Sequence, residues 1–129
     1  MERKTLTLRE VVQVLDARVL TGEEHLDSVA HCACSSDLMS DVLAFVHEKA
    51  LLLTGLANTQ VIRTAEMLDL SCIIFVRGKQ PPEEVLELAR ELDVTLLAVN
   101  KTMFVSAGLL YQAGLSGTPM GWENRREVN

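Results

Sequence analysis

Aromatic residues are scarce in this chain, at 4% of 129 positions. That is too few to build the stacking platforms that hold single-stranded nucleic acids. Positive charge is short as well: 12 lysines and arginines against 18 aspartates and glutamates leave a net charge of −6. With no basic stripe to offset it, a nucleic-acid partner is not expected. No apolar run approaches the roughly 20 residues needed to span a bilayer, so no membrane partner is expected either. The opening "MERKTLTLRE" has charges but no apolar stretch behind them, and does not read as a secretory signal. Cysteine is limited to Cys32, Cys34 and Cys72. An odd number without a second pair is expected to be reduced thiols in a cytoplasmic protein.

The chemical signatures are missing too. In "HCAC" a strand would point Cys32 and Cys34 to one face and His31 to the other, and neither His25 nor His47 comes at a zinc-motif spacing. Small buried thiols are the expectation, and no metal. There is no GxxxxGK[ST], no GxGxxG and no serine nucleophile elbow; "GLSGTPMG" lacks the Lys-Ser/Thr end that would hold phosphate and metal. No catalytic residue and no cofactor are therefore expected.

What is present is the composition of an ordinary globular domain, 48% apolar and 23% charged. One domain over residues 1–129 is expected, with a core over about 6–115 and a tail over 116–129 of loop and frayed end that Trp122 would dock. Thr7 and Glu10 make a capping box ahead of Val11, Val14 and Leu15, which predicts a helix over Leu8–Leu15. "ARVLTG" predicts a short strand, "EEHLDS" a polar connection and "VAHCACS" a second strand. "SDLMSDVLAFV" predicts a short helix capped by Ser36 or Asp37.

From residue 50 the pattern is regular: "ALLLTG", "SCIIFVRG" and "VTLLAV" are strands, each followed by a helical segment, "NTQVIRTAEMLDL", "PPEEVLELAREL" and "KTMFVSAGLLYQAG". Serial βα units whose strands are apolar without alternation predict an α/β domain built on a mainly parallel sheet buried on both faces. The first strands would add an antiparallel part. The last helix is apolar all round, including Phe104, Val105, Leu109 and Tyr111, where a surface helix shows a single stripe. A homodimer packed on it is the expectation, against simple burial.

Ligands of open parallel sheets bind beyond the strand carboxyl ends. Those ends supply Ser35, Ser36 and Asp37; Thr54, Gly55 and, at the next helix start, Asn58; Arg77, Gly78 and Lys79; and Asn100 and Thr102. Arg77 and Lys79 precede a helix N-terminus, where cations are unfavourable, and would hold an anionic phosphate or carboxylate; otherwise Glu83 and Glu84 neutralise them on a solvated surface. Thr54 and Thr102 would orient a ligand or simply end a strand and cap a helix. Asp37 and Asp41 would share a helix face as a Mg²⁺ or acid–base pair, or else cap the helix and stand exposed.

The segments "LTLREVVQVLDARVLTGEEHLD", "CACSSDLMSDVLAF" and "LLLTGLANTQVIRTAEMLDLSCIIFVRGKQPPEEVLELARELDVTLLAV" resemble the DRTGG domain and, through it, the N-terminal domain of the bacterial HPr kinase/phosphorylase proteins. The resemblance implies an α/β accessory domain with a regulatory role and no chemistry of its own. Members occur beside CBS domains in some pyrophosphatases, in some phosphotransacetylases, and alone in small bacterial proteins. This chain departs from the pattern in two places, with Leu56, Ala57 and Asn58 after the Thr-Gly, and with Val76, Arg77 and Gly78 where relatives carry Thr-Gly-Gly. The functional expectation is a dimeric regulatory module sensing a small anionic metabolite or nucleotide. A protein-interaction subunit that docks onto a partner enzyme or kinase is the competing one.

Overall fold

The computed structural model describes residues 4–46 and 49–118. A short strand β1 (Leu6–Thr7) leads into helix α1 (Leu8–Leu15). Thr7 Oγ1 accepts the Glu10 N–H while the Glu10 carboxylate accepts the Thr7 N–H, so two orphan amides of the first turn are satisfied reciprocally. The helix stops at Asp16, which takes the left-handed conformation with φ 52°. There follow β2 (Arg18–Thr21), a 3₁₀ turn at Glu23–His25, β3 (Val29–Ala30), β4 (Cys32–Ser35) and α2 (Met39–Phe45). The regular half comprises β5 (Ala50–Thr54), α3 (Thr59–Leu68), β6 (Cys72–Phe75), α4 (Glu83–Glu91), β7 (Leu96–Ala98) and α5 (Met103–Gln112), and ends in β8 (Ser116–Gly117).

The main sheet has the order β2-β7-β6-β5-β4-β8. Strands β4 to β7 are mutually parallel, β8 joins parallel to β4, and β2 closes the other edge antiparallel to β7. The expected α/β fold on a mainly parallel sheet, with an antiparallel strand from the first segment, is what forms. Because strand side chains alternate, each apolar strand feeds two cores. Leu52, Ile73, Phe75 and Leu96 face α2, α3 and α4. Leu51, Leu53, Cys72, Ile74, Val76, Leu97 and Val99 face α1 and α5. The bare apolar runs "LLLT" and "IIFV" are thus explained: both of their faces are covered.

Three expectations are corrected. "VAHCACS" is two strands: the chain breaks at His31, whose N–H donates to Lys49 O, and β3 pairs antiparallel with β1 in a separate two-stranded sheet. The tail from 116 is not all loop, since Ser116 and Gly117 pair with Cys32 and Ala33 on the open edge of β4, anchored by buried Leu115. Helix α2 is capped by neither Ser36 nor Asp37; its N-cap is Leu38, without a side-chain cap. Ser36 Oγ accepts the Leu38 N–H, and Asp37 is drawn away to β5. Trp122 and His47 lie outside the described residues. Helix α5 is buried on one side only: Ser106 and Leu110 are covered, while Phe104 is 86% and Tyr111 72% exposed.

Candidate functional site

Parallel strands in register end together. Ser35 is level with Leu53, Thr54 with Phe75, and Phe75 with Ala98. The bends that follow β4, β5, β6 and β7 therefore meet at one edge, and hydrogen bonds tie them. The Asp37 Oδ1 oxygen accepts both the Gly55 N–H at 2.7 Å and the Thr54 hydroxyl at 2.9 Å. The Arg77 N–H donates to Lys101 O at 2.8 Å and the Gly78 N–H to Val99 O at 2.9 Å. Arg77 and Gly78 are both left-handed, with φ of 60° and 68°. The other non-glycine residues with positive φ among those described are Asp16, Asp69 and Asp93, a residue type that tolerates this region. Arg77 does not, at a cost of about 1–2 kcal/mol.

That turn lays the Arg77 guanidinium over Gly55: a Cβ built on Gly55 would come 2.4 Å from Nη2. A side chain at Gly55 would displace the guanidinium, so the glycine leaves it that place. A Cβ on Gly78 would meet Asn100 Oδ1 at 3.2 Å, which places Asn100 on the same ledge. Asp37 is held below the usual carboxylate range, first by the Gly55 N–H, which outweighs the opposing desolvation, with further lowering by the Thr54 hydroxyl and the Arg77 and Lys79 charges. Neither cation has a hydrogen bond or ion pair to any other described side chain. Glu83 does not neutralise them; it pairs with Arg90 at 3.4 Å.

The remaining expected residues divide. Asn58 and Thr102 sit at the same edge but are occupied as N-caps of α3 and α5, accepting the Val61 and Val105 amides. Thr54 is fully buried, donates to Asp37 and accepts the Leu56 N–H, so its hydroxyl is spent within the ledge. Ser35 is exposed at the end of β4 and borders a second cleft with Cys34, Asp41 and Phe45 rather than the cations. Asp37 and Asp41 do not share a helix face, because Asp37 precedes α2 and turns to β5. A carboxyl held low and hydrogen-bonded in this way is a weak general base at neutral pH. Burial raises the Cys72 thiol and pushes Cys34 up to about 11, so both stay protonated and are poor nucleophiles.

Sequence reasoning missed the opposite end of the sheet. A cleft of about 560 Å³ opens there beside the strand amino ends, lined in part by His25, His31, Lys49, Asp69 and Asp93. His25 Nε2 lies 2.9 Å from Asp93 and Lys49 Nζ lies 3.0 Å from Asp69. Glu24, His25 and Asp93 bring their ligand atoms within 4.8 Å of one another on an exposed surface. His25 and Asp93 are 68 positions apart, and no spacing rule joins them.

Fold and site together define a mixed α/β domain whose polar, partly cationic ledge caps the carboxyl edge of its parallel strands. The DRTGG domain model matches residues 10–113, and the chain belongs to the DRTGG domain family. In structure it is similar to the CBS and DRTGG domains of the regulatory region of Clostridium perfringens pyrophosphatase, crystallised with its activator diadenosine tetraphosphate. The TM-score is 0.69 at 20% identity, over 88% of this chain and 50% of that one, so this chain spans half the length of that neighbour. No curated protein matches the chain. Among the described residues no helix is long and apolar enough to cross a membrane.

Proposed function

We propose that this chain is a non-catalytic regulatory domain that binds a small anionic metabolite or nucleotide on the ledge of Gly55, Arg77, Gly78, Lys79 and Asn100. The observation that carries the reading is the Arg77 guanidinium laid over Gly55, with the Lys79 charge acting on the same Asp37 and neither cation in an ion pair with a described side chain. Membership of the DRTGG family supports a regulatory role. The pyrophosphatase neighbour, whose regulatory region is complexed with a nucleotide, supports the ligand class. Binding would act by population shift, favouring one arrangement of the strand-end bends over others. The backbone strain at Arg77 fits a position held for what its side chain does.

Thermal unfolding in the presence of inorganic phosphate, pyrophosphate, ATP and diadenosine tetraphosphate tests this. A ligand at 100 times its Kd stabilises by about 2.7 kcal/mol, a clear rise in Tm. The rise is expected to vanish in the double variant Arg77→Ala, Lys79→Ala. No rise with any of the four, or a rise that survives both substitutions, rejects the ledge.

The outer face of α5 favours a second, compatible reading. Phe104, Val105 and Tyr111 are exposed together there, a combination that marks interaction surfaces. We assign this face to a homodimer, with docking onto a partner enzyme or kinase as the competing use. Sedimentation should show a dimer that Phe104→Lys with Tyr111→Lys dissociates; a wild-type monomer would leave the face to another partner. A cytoplasmic place, with Cys32, Cys34 and Cys72 as reduced thiols, belongs to the same proposal.

A further inference from the structure

The ledge already holds an anionic oxygen, and it belongs to the chain itself. Asp37 Oδ1 takes the Gly55 N–H and the Thr54 hydroxyl at 2.7 and 2.9 Å, beside the Arg77 guanidinium that lies over Gly55. An amide and a hydroxyl from the bend after β5 and the guanidinium from the bend after β6, with the Lys79 charge acting on the same place, suit a tetrahedral oxyanion, which offers oxygens in several directions. Resting on the sensing function proposed above, we propose that Asp37 is a built-in competitor: its carboxylate stands where an oxygen of a phosphoryl ligand binds, and the ligand must expel it.

The expulsion has a mechanical outlet. Asp37 lies two residues before the first residue of α2, and that helix has no side-chain cap of its own at Leu38. The segment is fastened by Asp37 to β5 and by the Ser36 hydroxyl accepting the Leu38 N–H at 3.0 Å. Losing the first tether frees the start of α2, whose turn carries Leu38 at 57% exposure with Leu43 and Phe45 beyond it. Occupancy of the ledge is thereby converted into a changed apolar surface on the neighbouring helix, the form of output a regulatory domain needs.

Calorimetric titration of the full chain with inorganic pyrophosphate tests the competitor. Asp37→Ala is expected to bind about tenfold or more tightly than wild type, a gain of about 1.4 kcal/mol. Asp37→Asn, which keeps an acceptor oxygen but loses the charge, is expected to fall between them. Arg77→Ala is expected to bind less tightly than wild type. If wild type binds, Arg77→Ala weakens binding and Asp37→Ala changes nothing, the competitor is rejected while the sensing site stands. If neither wild type nor Asp37→Ala binds, both fall. Should neither Asp37 variant fold, hydrogen exchange on wild type decides. The amides of Leu38–Val42 are expected to exchange faster with saturating pyrophosphate, and unchanged or slower exchange overturns the competitor.

Discussion

The two ends of the parallel sheet carry similar residue types and use them differently. At the amino end a cleft of about 560 Å³ opens, and two pairs cross its lining, His25 with Asp93 and Lys49 with Asp69. At the carboxyl end the charges of Arg77 and Lys79 act on Asp37, yet neither cation makes an ion pair within the described residues. A visible cleft would choose the first end. Unspent charge held by a strained turn chooses the second. The contrast teaches that substitutions at the amino end should register in stability, and those at the carboxyl end in binding.

The largest effect is expected at the amino end. Gly22 has φ 84°, and a Cβ there would lie 2.9 Å from the Thr95 Cα as well as against its hydroxyl, so backbone must shift. Gly22→Ala should lose about 2 kcal/mol or more in denaturant unfolding, with any pyrophosphate affinity retained. Gly55→Ala is the mirror experiment. There the clash is with the far end of the flexible Arg77 side chain, so stability should change by about 1 kcal/mol or less while anion binding is lost. Equal stability losses in the two variants would erase the distinction.

Smaller effects sharpen it. His25→Gln removes an exposed pair at the amino end and should cost about 1 kcal/mol or less, with ligand-induced Tm shifts intact. Asp37, by contrast, has a folded pKa depressed below its ordinary 3.8. Its contribution is therefore present above that value and lost as pH falls through the lower folded pKa. Asp37→Asn should flatten the acid limb of the stability curve below about pH 4, by a small amount because the group is largely solvated. A steeper limb in the variant would show the sign to be wrong.

How far the sequence foretold this follows from the range of each interaction. Local grammar is recoverable: the Thr7–Glu10 box, the helix starts behind Asn58 and Thr102, and the uniformly apolar strands were readable because their causes lie within a few residues. The meeting of bends at 54–55, 77–79 and 100 followed from parallel pairing, which the serial βα units implied. What escaped depends on distant partners. Ser116–Gly117 looks like loop until β4 offers an open edge, and His31 divides an apolar run only because β1 takes Val29 and Ala30. Asp37 reads as a helix cap because its spacing fits one; the stronger claim on it comes from an amide 18 residues away. Those aspartates that close α1 and α3 in the left-handed conformation carry no glycine to announce them.

The most direct measurement is an amide-resolved NMR titration of the full chain with pyrophosphate. The account predicts that shifts concentrate at Asp37, Gly55, Val76–Lys79 and Asn100, with Leu38 and the first turn of α2 following. Shifts confined to Gly22–Ser28, Leu70–Ser71 and Val94–Thr95, at the other end of the sheet, would contradict it.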